Sequence, residues 1–144
     1  MVKIFIFAFI TLNLFLVGSD LRDSSQMPEQ VLVSKELKPY VVQFIKEGVK
    51  RGVLVKDALM KDVDFITIES NIRFPLLGDY SKQNRQVKIA KYAMVDTLVL
   101  RSAVFHELGH VLIKNEIHCC NSCLDIMSRI APASFSIYEE VFWN

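Results

Sequence analysis

The sequence predicts an α+β domain in which a small sheet packs on one central, buried helix. Three stretches carry that prediction. Asp96 to Ile113 is apolar around most of a helix surface, the pattern of a helix enclosed by the rest of a fold. Asp62 to Glu69 and Gln86 to Tyr92 are short, rich in β-branched and aromatic residues, and read as strands. Val31 to Val53 repeats its apolar residues at three- and four-residue steps, as an amphipathic helix does. The chain has 144 residues, which suits one domain.

The elements follow in order. Ile4 to Gly18 is a mostly apolar 15-residue run behind a single Lys3. A spanning helix needs ~20 residues, so the run is expected to be a secretory signal, cut between Ser19 and Asp20. An uncleaved amino-terminal anchor is the alternative. Either way the protein is expected to be exported, periplasmic or secreted. Asp20 to Gln30 is polar, with Ser24-Ser25 and Pro28, and reads as a linker, so residues 31–144 form the expected domain.

In the first helix Leu37, Val41, Phe44, Ile45 and Val49 form the apolar stripe. Pro39 fits its first turn and Gly52 its end. Ser70 to Gln86 holds Pro75, Gly78, Asp79 and Asn84 and reads as loop, with a short strand expected at Ile72 to Phe74. In the strand Gln86 to Tyr92 the lysines suit a sheet edge. Asp96 can cap the central helix, whose two apolar stripes are Leu98, Phe105, Leu108, Leu112 and Leu100, Val104, Val111. After Asn115 the chain reads as irregular, and the tail from Ser134 as helical.

The formal net charge is +1, and no basic run exceeds two residues. Neither nucleic acid nor a strongly acidic partner is indicated. The three cysteines, Cys119, Cys120 and Cys123, cluster late in the chain and allow one disulfide with one thiol left over. Just before them lie all three histidines, His106, His110 and His118, within "VFHELGHVLIKNEIHCC".

His106 and His110 are four apart on the buried helix, so both imidazoles can reach one metal ion. Glu107 lies about 100° around the helix, where its carboxylate can take a proton from water without occupying a coordination position. Two imidazoles and a carboxylate on an apolar helix would each cost ~1–3 kcal/mol if left unpaired. Binding of zinc removes that cost. His118 is the expected third ligand, provided the helix ends between His110 and His118, and Lys114-Asn115 offers the place. Glu139, Glu140, Asp125 or a thiolate of the cysteine cluster are the alternatives.

"HELGHVLIKNEIH" followed by "DIMS" resembles the metzincin group of zinc metallopeptidases, and most of all small bacterial proteins assigned to that activity. The resemblance covers roughly Asp62 to Pro132. It implies a zincin-like fold, zinc held by His106, His110 and His118, Glu107 as general base, and Met127 in a turn beneath the metal. It implies that the strand at Gln86 to Tyr92 is the edge strand lining the cleft, and that the partner is a peptide or protein substrate. Two positions depart from the family pattern. Ile113 stands where the family has glycine, and His118 comes two residues late. Two rivals remain at this point: a non-catalytic protein that keeps zinc for structure, and a gluzincin-like hydrolase with Glu139 or Glu140 as third ligand.

Overall fold

A computed structural model of the chain describes residues 25–114. The expectations placed on residues 1–19 and on 115–144, including His118, the cysteines, Met127 and the helical tail, lie outside the described residues. Within them the order is β1 (Leu32–Val33), α1 (Lys38–Lys50), α2 (Val55–Asp62), β2 (Phe65–Glu69), β3 (Gly78–Ser81), β4 (Gln86–Ala90), a 3-10 turn (Lys91–Val95) and α3 (Thr97–Ile113). The fold is α+β, with the four strands in one mixed sheet. Their spatial order is β1-β2-β4-β3; only the β3–β4 pair is antiparallel.

Helix α1 begins with Pro39 in its first turn, where a missing N–H costs nothing, and buries Val41, Phe44, Ile45 and Gly48 on one face. Gly52 takes a positive φ of 73° just past its end. Leu32 and Val33, inside the stretch Val31 to Val53 expected to have helical periodicity, instead form a strand that pairs in parallel with β2. Helix α2 was not legible: it is eight residues long and anchored by only Val55 and Leu59, one turn apart. Asp62 closes that helix, so the strand predicted from Asp62 starts three residues later, at Phe65. The Arg85 guanidinium locks this junction. It forks onto both carboxylate oxygens of Asp64 at 2.9 Å and also donates to the carbonyls of Met60 and Lys61 at the end of α2.

One face of the sheet, carrying Ile66, Val87 and Ile89, is sealed into the core with α1 and α3. At its centre Phe44 and Phe105 meet edge to face at 5.0 Å. The other face is polar: the Gln86 amide donates to Thr67 Oγ1, whose hydroxyl donates to Glu69.

Two strand expectations are corrected. Ile72 to Phe74 is not a strand; the third strand is Gly78–Ser81, built from residues that read as a turn. The segment at Gln86 is not an edge either, since β4 lies between β2 and β3. Lys88 alternates with the buried Val87 and Ile89, so its charge marks the solvated face of an interior strand rather than a border. The edge beyond β4 is β3.

Asp96 caps α3 as expected, its carboxylate accepting from the backbone N–H groups of Leu98 and Val99 at 2.7 and 3.2 Å. From Ser102 to Val111 nearly every residue is buried. Leu98, assigned to an apolar stripe, is instead 54 % exposed: it lies in the first turn, ahead of the stretch of α3 that the fold encloses. Among the described residues no helix is long and apolar enough to cross a membrane.

Candidate metal centre

The last two turns of α3 carry the predicted pair. His106 and His110 turn towards each other, with their Nε2 atoms 3.1 Å apart and their rings nearly perpendicular, at 85°. Two nitrogens each ~2.0–2.1 Å from a tetrahedral zinc stand about 3.3 Å apart, so the observed spacing is close to that of a chelating pair. In suitable tautomers the same spacing serves an N–H···N hydrogen bond. The helix supplies the spacing and its burial fixes the rotamers: His110 is only 6 % exposed.

Glu107 is as buried as His110, at 5 % exposure. Burial pushes its carboxyl pKa from 4.5 up to about 8, and the negative charge of Asp79 adds to the shift. Strand β3 crosses directly over it. A Cβ placed on Gly78 would stand 2.6 Å from Glu107 Cγ, 2.8 Å from its Oε1 and 2.8 Å from the Lys88 carbonyl oxygen. Only a residue without a side chain lets the strand lie this close.

The polarity of that edge follows from the register. Ala90 N–H donates to the Leu77 carbonyl at 2.8 Å, and the antiparallel ladder continues through Asp79↔Lys88. Hydrogen-bonded and non-bonded pairs alternate in such a ladder. Gly78 and Tyr80 therefore turn their own N–H and C=O groups away from β4, to the side on which the described residues place no further strand.

Helix α3 ends where the third-ligand argument needs it to. Lys114 adopts the left-handed conformation, φ 53° and ψ 27°, and its N–H closes the last turn on the His110 carbonyl at 3.0 Å. The turn sits at Lys114, one residue beyond Ile113.

His106 and His110 thus converge, and Glu107, next to His106 in the helix, lies buried against Gly78 of β3. His118 and its alternatives, Asp125, Glu139, Glu140 and the cysteines, lie outside the described residues, within which no group of three or more His, Cys, Asp or Glu side chains is placed to hold a metal. Sequence reading missed Gly78 and Asp79, which it assigned to a loop. The signal available for them was only that the loop preceded a strand. The edge position expected for Gln86 to Tyr92 is taken by β3 instead.

Comparison of the chain with protein-family models, with curated proteins and with solved structures finds no match.

Proposed function

We propose that this chain is an exported zinc-dependent metallopeptidase of zincin type. The observation that carries the reading is one juxtaposition: a convergent pair of imidazoles stands on the same two turns of α3 as a buried carboxylate, which lies against β3, the outermost strand among the described residues. His106 and His110 would hold the metal, with His118 as third protein ligand. Three protein ligands leave one position open, the arrangement of a catalytic rather than a structural zinc. When bound, zinc supplies Lewis acidity, polarising the scissile carbonyl and lowering the pKa of water.

The chain's own residues do the rest. An extended peptide adds to β3 through the free backbone groups of Gly78 and Tyr80, which brings its scissile bond over α3. Glu107 takes the proton of the attacking water on a carboxylate oxygen and returns it to the leaving amine. Burial alone favours the protonated carboxyl; the positive charge of a bound zinc would oppose it and favour the ionised form that acts as base. Gly78 keeps that carboxylate and the peptide-binding edge in contact range.

The cysteines that follow His118 favour one other reading, in which a thiolate closes the site and zinc is structural. A peptide-library digest separates the two. The zinc-loaded full chain cuts peptides if the site is open, and cuts none if a fourth protein ligand fills it.

A further inference from the structure

We propose that the β2–β3 loop and the 3-10 turn together form a membrane-docking surface, which places apolar side chains among the headgroups of an anionic lipid bilayer. The proposal does not depend on the zinc site. Nine large apolar side chains are exposed among the described residues, and five of them fall in two short segments: Phe74 and Leu76 in one, Met94, Val95 and Leu98 in the other. Apolar residues scattered singly over a surface are ordinary, but a contiguous set marks a contact surface. Tyr92 joins the two segments. Its ring lies 6.1 Å from that of Phe74, its hydroxyl donates to the Leu76 carbonyl, and it shares the 3-10 turn with Met94 and Val95. Tyrosine is favoured at the headgroup level of bilayers because it has an apolar body and a polar tip.

Two observations favour a lipid surface as the occupant. The first is prominence. Phe74 is 82 % exposed and Val95 89 %. Side chains that line a groove for a protein partner are shielded by its walls, whereas these stand clear, as entry into a soft bilayer requires. Val95 precedes the Asp96 cap, where an apolar residue often packs back on the fourth residue of the helix; at that exposure it does not cover Leu100. The second observation is charge. Arg73 and Lys91, both exposed, stand next to Phe74 and Tyr92 in the chain. Between Arg73 and Leu76 and between Lys91 and Leu98 the only acid is Asp96, whose carboxylate is engaged by the N–H groups of Leu98 and Val99. The nearest acids beyond, Glu69 and Asp79, are strand residues: one takes the Thr67 hydroxyl and the other stands opposite Lys88 in the ladder. The surface therefore carries cations around an apolar centre, the complement of an anionic leaflet. A second copy docked face to face would oppose the same cations to each other, which disfavours self-association.

The test is backbone amide exchange of the full chain, titrated with vesicles of equimolar phosphatidylglycerol and phosphatidylcholine. Exchange is read segment by segment, so contact through the apolar run Ile4 to Gly18 is told apart from contact through this surface. Amides in 73–77 and 91–98 should slow as vesicles are added. Vesicles of phosphatidylcholine alone should need at least about fivefold more lipid for the same slowing. Arg73→Gln combined with Lys91→Gln should raise the lipid needed by about the same factor. Phe74→Ser combined with Val95→Ser should raise it at least about tenfold. Leu54→Ser, at an exposed apolar position outside both segments, should behave like the parent. All these side chains are exposed, so melting temperatures should stay close to the parent's. The proposal is overturned if these amides exchange at the vesicle-free rate, or if the slowing survives unchanged in the double serine variant. It is also overturned if the slowing follows the concentration of the protein rather than of lipid, because the surface then binds a second copy.

Discussion

Gly78 and Glu107 are in contact across the gap between β3 and α3, with 2.6 Å separating the place of a Gly78 Cβ from Glu107 Cγ. In the proposed function that contact would join the two halves of the site, the strand that would bind a peptide and the carboxylate that would move a proton. It also explains why an edge strand begins with a residue of low strand propensity.

Gly78→Ala should therefore separate the two halves. The methyl group cannot fit without displacing β3 or the Glu107 side chain, because the Lys88 carbonyl closes the other side. We expect a loss of about 1–3 kcal/mol in stability and at least about a tenfold fall in kcat/KM, read by thermal melting and by a peptide assay. Gly52→Ala is the control. It also strains a positive φ, but nothing lies within 4 Å of its Cβ, so it should lower stability by about 1 kcal/mol and leave kcat/KM unchanged.

How far the site was legible follows from which parts are local. The histidine pair, Glu107, the Asp96 cap and the end of α3 are all set by spacing along one helix, and all were readable. Strand β3 is set by its pairing with β4. Gly78 and Asp79 have turn-like composition, so nothing in their own segment announces a strand. The place of β4 was misread for a similar reason. A lysine between two buried residues looks the same on an edge strand and on an interior strand with one wet face. Helix α2 was missed because eight residues give too few turns for a period to register.

Zinc uptake should be close to one per chain and should depend on both rings. His106→Ala and His110→Ala should each abolish stoichiometric binding, measured by elemental analysis after dialysis. Zinc should raise the melting temperature of the parent, since a ligand that binds only the folded state stabilises it. Neither variant should show that rise.

The metal-free protein should lose stability as pH rises from about 4.5 to about 8. Glu107 holds its proton up to about 8 when folded but releases it near 4.5 when unfolded. Between those values the folded state carries the extra proton, so raising the pH favours unfolding; above about 8 this contribution is spent. Glu107→Gln has no proton to lose there. Denaturant titrations in a chelator across this range should show a difference in slope between parent and variant of at most about 1.4 kcal/mol per pH unit. Equal slopes would mean that Glu107 is ionised throughout.

The proposed hydrolysis depends on Glu107, and one paired measurement reaches it: zinc content and peptide cleavage on the same preparations of parent and Glu107→Gln. The substitution keeps the size of the side chain and removes the base. The predicted result is about one zinc per chain in both proteins, a melting temperature no lower than the parent's, and cleavage slower by about 10²–10⁴-fold. Cleavage at the parental rate by Glu107→Gln, or no cleavage of a diverse peptide library by the zinc-loaded parent, would contradict it.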